Sequence, residues 1–219
     1  MCDTHDHQKT NPGLGEYPAF DECVRFHGHA CPGLATGYRA AVAAMQALGV
    51  KRPYDEELVA VAETDACGVD AIQMVTGCTA GKGNLIIHDY GKHVFTFISR
   101  ESNRAVRVLV CQADIPERSA MDDLRKKVFS GTATPEEQSR FHALMHAATG
   151  RVLSLPQHEI VEVREVQASP PKKARIFASV ACSCCGEPVA DAKTRIIDEK
   201  QVCIPCADTL AGKIRTAER

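Results

Sequence analysis

The sequence predicts an α+β protein, in which an antiparallel or mixed sheet carries packed helices and is followed by a small four-cysteine module. Three observations point there. Apolar residues at Leu34, Tyr38, Ala41, Val42, Met45 and Leu48 form a helical stripe, while the runs at 58–62 and 94–98 have strand length. The stretch Ala-Ser-Pro-Pro-Lys-Lys at 168–173 interrupts both patterns as a linker does. Beyond it, two Cys-x-x-Cys pairs stand seventeen residues apart. With 219 residues, 44% hydrophobic and 25% charged, the chain can bury one sizeable core and an appendage.

Taken in order, residues 1–15 are polar and lack apolar periodicity, as a mobile tail does. Cys2, His5 and His7 in it are set aside. Pro18 opens a short helix with Phe20 and Val24 on one side, and Cys23 reads as core packing. A second helix runs from Pro32 to about Leu48 and stops at Gly49. Leu58 to Ala62 suits a buried strand, and the segment from Glu63 to Gly68 then stands at a strand end. A third helix covers Val69 to Val75, followed by a glycine-rich loop at 77–84. That loop is not a Walker loop, because its glycines bracket three residues and no Ser or Thr follows Lys82. It reads as a tight loop or as a local anion nest. Leu85 to His88, Val94 to Ile98 and Ala105 to Cys111 give three more strands. The turn around Gly91 predicts antiparallel pairing of the first two. Helices at 116–129 and 135–148 follow, then a strand at 159–166. His142 and His146 lie one turn apart on a helix face that reads as solvated.

The densest chemistry lies in Phe-His-Gly-His-Ala-Cys-Pro-Gly-Leu-Ala-Thr-Gly-Tyr at 26–38. Pro32 suits the first helical position, which puts Cys31 at the N-cap facing free amides, an arrangement that favours thiolate. A buried cysteine or a lone histidine is ordinarily core. His27, His29 and Cys31 beside two glycines and a proline point instead to a metal or reactive site. A helix running up to Cys31 would turn His27 inward and His29 away. An extended segment would align all three.

Eleven cysteines and no basic-then-apolar leader predict a cytoplasmic protein whose thiols serve as ligands. No run of about eighteen apolar residues predicts a membrane span. The net charge of −2 divides into +3 from Pro171 onward and −5 before it, which gives no drive toward nucleic acid. Cys182, Cys185, Cys203 and Cys206 have the spacing of a structural zinc site, with a hairpin at 196–202 between the pairs and a helix from Ala207 to about Ala217. That order predicts a treble-clef-like finger. Cys184 is surplus.

Three motifs together, the one at 26–39, Glu-Thr-Asp-Ala-Cys-Gly-Val-Asp-Ala-Ile-Gln at 63–73 and Thr-Gly-Cys-Thr-Ala-Gly-Lys-Gly-Asn at 76–84, followed by the finger, resemble the formylmethanofuran dehydrogenase-associated FmdE family over about residues 16–206. The resemblance implies a core domain at 16–167, a linker at 168–177 and a zinc finger at 178–219. It further implies a homodimer and an association with molybdenum or tungsten formylmethanofuran dehydrogenase. Motif by motif it implies a core site drawn from His27, Cys31 and Cys67 first, then His29 and Asp65, then Cys78. Cys31, Asp65 and Asp70 are candidates for catalysis, and the core metal would be zinc, nickel or iron. A continuous helix between Cys67 and Cys78 would hold them more than about 10 Å apart, too far for one ion. Three functions fit: a metal-binding accessory protein of such oxidoreductases, a metal-thiolate enzyme acting on a small molecule, and a zinc-finger regulator of nucleic acid.

Overall fold

A computed structural model describes residues 17–111, 113–173 and 175–212. The chain divides into two compact units, Met1–Lys173 and Ala174–Arg219. The first contains α1 (Phe20–His27), α2 (Pro32–Leu48), β1 (Leu58–Ala62), α3 (Gly68–Thr76), β2 (Leu85–Ile87), β3 (Val94–Ser99), β4 (Ala105–Val110), α4 (Glu117–Phe129), α5 (Pro135–Ser154), α6 (Gln157–Ile160) and β5 (Val161–Val166). Its sheet has the order β2-β1-β3-β4-β5, mixed because β1 and β2 are parallel and the other neighbours antiparallel.

The predicted hairpin between β2 and β3 does not form. β1 lies between them, joined to β2 by the α3 crossover and to β3 by antiparallel pairing. The turn residues do reverse the chain, yet the backbone amides of Tyr90 and Lys92 donate to the Glu63 carbonyl, so the loop wraps the end of β1. Local turn chemistry reports a reversal without naming the partner strand. All five residues of β1 are apolar and four are buried, which suits a strand with neighbours on both edges.

Leu58, Ala60, Ala62, Phe95, Phe97, Val106 and Val108 belong to one core cluster with Leu34, Met45, Ile72 and Val152 from the helices. The fully buried Phe95 and Phe97 each contribute about 1.5–3 kcal/mol by burial. α5 runs to Ser154, six residues beyond the expected end at Ala148. The exposed Gly150 is tolerated because buried Val152 holds the last turns on the core and the Arg39 guanidinium donates to the carbonyls of Val152, Leu153 and Leu155 at 2.8–3.0 Å.

The α2–α3 contact sets the site. A Cβ added to Gly37 would stand 2.3 Å from the Gly68 carbonyl oxygen, and one added to Gly68 would stand 3.2 Å from the Gly33 oxygen. Only glycines let these backbones cross so closely. Because the crossing lies in the first two turns of α2 and at the first residue of α3, their N-termini are brought side by side.

The second unit contains β6 (Ser179–Ala181), β7 (Pro188–Ala190), a 3₁₀ turn, β8 (Thr194–Ile197), β9 (Lys200–Cys203) and α7 (Ile204–Leu210). The β8–β9 turn places Asp198 and Glu199 at φ 46° and 61°, the left-handed pair that a tight hairpin needs. The finger helix begins at Ile204, three residues earlier than expected, since Cys203 is its N-cap and Pro205 suits its first turn. The expected end near Ala217 lies outside the described residues. The β6–β7 hairpin carrying the first cysteine pair was not anticipated.

Candidate metal centres

Two groups of metal-ligating side chains come together among the described residues, one in each unit. In the core, one donor atom from each of His27, Cys31 and Cys67 lies within 4.8 Å of the others. Each is placed by a helix end. His27 is the last residue of α1, which Gly28 ends at φ 96°. The chain then turns through 29–30, so neither the continuous helix nor the extended strand considered for this stretch occurs. Cys31 is the N-cap of α2, and its Sγ accepts the Leu34 amide at 3.3 Å. Cys67 is the N-cap of α3. A side chain at Gly33 would stand 3.9 Å from both sulfurs, so the glycine keeps the space beside them clear.

Asp70, in the first turn of α3, completes the arrangement. Its Oδ2 lies 2.7 Å from His27 Nδ1, which makes Nδ1 the protonated nitrogen and leaves the Nε2 lone pair facing Cys31 Sγ at 3.9 Å. A carboxylate on the far nitrogen of a ligand histidine fixes its tautomer and raises its basicity. Bond lengths of about 2.3 Å to sulfur and 2.0 Å to nitrogen put adjacent tetrahedral donors about 3.5–3.8 Å apart, so the 3.9 Å approach fits a shared ion.

Helix N-termini alone suggested an acidic Cys31. Burial pushes the thiol up instead, outweighing the downward pull of the Leu34 amide, and the neighbouring Cys67 pushes it further. A second thiol this close opposes ionisation of the buried Cys31, and a cation that takes the place of the protons removes the conflict.

The other candidates from the sequence are not in this converging group. His29 is exposed, with its ring centroid 4.6 Å from that of His27. Asp65 is exposed between β1 and α3. Cys78 lies past the far end of the uninterrupted α3, fully buried, where burial pushes its thiol up to about 11 and its S–H donates to the Leu58 carbonyl. In the glycine-rich loop, Lys82 Nζ donates to the Asp55 carbonyl and Asn84 Oδ1 accepts the Thr79 amide, so the loop is held by its own chain. His142 and His146 are exposed.

In the second unit, donors of Cys182, Cys185, Cys203 and Cys206 lie within 4.8 Å of one another, with Cys185 and Cys203 sulfurs 3.9 Å apart. Cys182 Sγ accepts amides from Cys184 at 3.4 Å and Cys203 at 3.2 Å. Backbone amides of Cys185 and Cys203 lead in holding its thiol down at about 6. Cys203 in turn pushes the Cys206 thiol up. The exposed Cys184 belongs to neither group.

Sequence reading missed a cleft of about 630 Å³ that reaches Cys31 and Gly33. Lys92, His93, Arg118 and Arg125 line it together with Met121 and Met145. These residues carry no motif, and only the spacing of 118, 121 and 125 on one helix face hinted that they act together.

Comparison with known proteins places these features among relatives. A family model described as FmdE, molybdenum formylmethanofuran dehydrogenase operon, matches residues 26–162. A second model, the prokaryotic dksA/traR C4-type zinc finger, matches residues 175–210. A protein of Archaeoglobus fulgidus named "Probable S-adenosyl-L-methionine-binding protein" is 33% identical over 189 residues, which is 83% of this chain and 50% of that protein. The chain thus spans about half the length of that curated relative. The crystal structure of an FmdE-like protein of tungsten formylmethanofuran dehydrogenase from Syntrophus aciditrophicus matches with a TM-score of 0.54 at 23% identity, covering 86% of this chain and 90% of that one. That likeness is one of fold. Among the described residues, no helix is long and apolar enough to cross a membrane.

Proposed function

The chain belongs to the FmdE family, with a C4-type zinc finger following the FmdE domain, and from that premise we propose that it is a metal-binding accessory protein of molybdenum or tungsten formylmethanofuran dehydrogenase-type oxidoreductases. Its core holds a transition metal, zinc, nickel or iron, through His27 Nε2, Cys31 Sγ and Cys67 Sγ, and its finger holds structural zinc. One observation carries the core assignment: three donors from three helix ends converge within 4.8 Å, with Asp70 holding the proton on the far nitrogen of the histidine. The N-terminal dipoles of α2 and α3 stabilise the sulfur charge that metal binding requires. In this reading residues 16–167 and 178–219 fold separately about a 168–177 linker, and the core forms a homodimer in the cytoplasm.

A second reading, a metal-thiolate enzyme, draws support from the cleft that reaches Cys31. Three protein ligands leave a coordination position for substrate, and a metal there supplies Lewis acidity. Asp70 is engaged with His27 in either case, which leaves the exposed Asp65 as the candidate base. Nucleic-acid regulation gains no comparable support, since the C-terminal residues carry only +3 before any thiolate is counted.

The test is metal counting by mass spectrometry on the full chain. Wild type should hold zinc plus a second equivalent of metal, and Cys31→Ser should lose the second while keeping the first. A wild type that holds one zinc and cannot be loaded further with zinc, nickel or iron would overturn the core assignment.

A further inference from the structure

The cleft beside Cys31 has features that metal binding does not use. Arg118, Met121 and Arg125 stand at i, i+3 and i+7 on α4, so one helix face presents two guanidinium groups around a thioether. Lys92 and His93 come from the loop that wraps the end of β1 and leads into β3. Among the described residues, no carboxylate lines the cleft. Arg125 shares its charge with Asp122 at 2.9 Å, and Lys92 acts on Glu63, whose carboxylate is already paired with Arg107. Arg118 has no carboxylate partner among the described residues. Apart from Thr36 and the thiols, the remaining lining is apolar and includes Val94, Met121 and Met145, and the volume of about 630 Å³ lies in the range of small-molecule sites.

Positive charge set beside adaptable thioethers in one pocket selects an amphiphilic anion. We propose that this cleft binds a small aliphatic carboxylate, its head group held by Arg118, Arg125 and Lys92 and its chain lying on Met121 and Met145 toward Cys31. The proposal names a ligand class for the metal-thiolate site above and rests on that reading only at the Cys31 end. A phosphate ester of similar size shares the head-group chemistry. A sulfonium cation does not.

The probe is hexanoate, titrated by calorimetry into the full-length, metal-loaded protein, with uncharged hexanamide of the same shape and hexyl phosphate as comparisons. Hexanoate should bind with a dissociation constant below about 10 mM, and the double variant Arg118→Ala, Arg125→Ala should weaken it at least tenfold. Both arginines are exposed, so folding and metal content, counted on the same samples, should not change. Stronger binding of hexyl phosphate than of hexanoate, with the same dependence on the arginines, would keep the cleft and overturn the carboxylate as its ligand class. Hexanoate binding that persists in Cys31→Ser, with the core metal lost, supports the cleft and separates it from the metal assignment. Binding of hexanamide as tight as hexanoate, equal affinity in the double variant, or no hexanoate binding by wild type would overturn the proposal.

Discussion

The two cysteine clusters differ in how the chain brings them together. In the finger, each Cys-x-x-Cys pair spans one local turn, and the β8–β9 hairpin closes the seventeen-residue gap. In the core, His27 and Cys31 are four residues apart, but Cys67 arrives from 36 residues downstream because α2 and α3 cross at Gly37 and Gly68. The finger holds the Cys182 sulfur by backbone amides, one from the same knuckle at Cys184 and one from Cys203 of the second pair. The core holds its donors by packing, inside a unit that has its own apolar cluster. A metal should therefore be a condition of folding for the finger and a guest of an already folded core.

The largest expected effect follows from the small apolar cluster of the finger. Structural zinc in such modules contributes about 10–16 kcal/mol of apparent binding free energy, which here is folding free energy. Cys203→Ser, or a strong chelator, should unfold residues 178–212 while amides of the core strands stay protected in hydrogen exchange. Joint loss of protection in both units would break the comparison. Next comes Gly37→Ala, which drives a methyl into the Gly68 backbone and should cost the core about 3 kcal/mol. Chemical denaturation reads the cost. Core metal should fall with it and finger zinc should stay. Gly68→Ala, whose nearest contact is 3.2 Å, should cost less.

Asp70→Asn should act on the metal without touching the fold, lowering core-metal affinity about 10–100-fold in competition with a chelator. An unchanged affinity would mean that Asp70 does not orient His27. The smallest effect is on pH dependence. Arg107 hydrogen-bonds the Glu63 carboxylate and holds it below the usual carboxylate range. The stability from this pair is present above the unfolded carboxylate value of about 4.3 and is lost as pH falls through the folded value. Glu63→Gln should flatten the acid limb of the stability profile for the core and leave finger zinc content unchanged at neutral pH.

The element types were legible where periodicity and caps agreed. α2 begins at Pro32 and ends at Leu48 because Cys31, Pro32 and Gly49 each fit their cap positions, and β1 coincides with the apolar run from which it was read. Strand partners were not legible, because β2 and β3 have the spacing and turn of a hairpin and yet pair with β1. The acidity of Cys31 was misread for a related reason: its N-cap amide was visible in the sequence, while its burial and the nearby Cys67 were not.

By itself the sequence determined what local chemistry controls: the helix caps, the turn residues, the finger's ligand spacing and the supply of thiols and imidazoles near Cys31. Only the tertiary structure decided which distant groups meet. Cys67 joins His27 and Cys31, Asp70 turns from a candidate base into the partner of His27 Nδ1, and Arg118 and Arg125 come to share a cleft with Lys92. The reason is physical. A cap or a turn is satisfied within a few residues, whereas these meetings depend on two glycines that let α2 and α3 cross and on the packing of α4 against α5, which sets one face of α4 across the cleft from Val94 and Leu109.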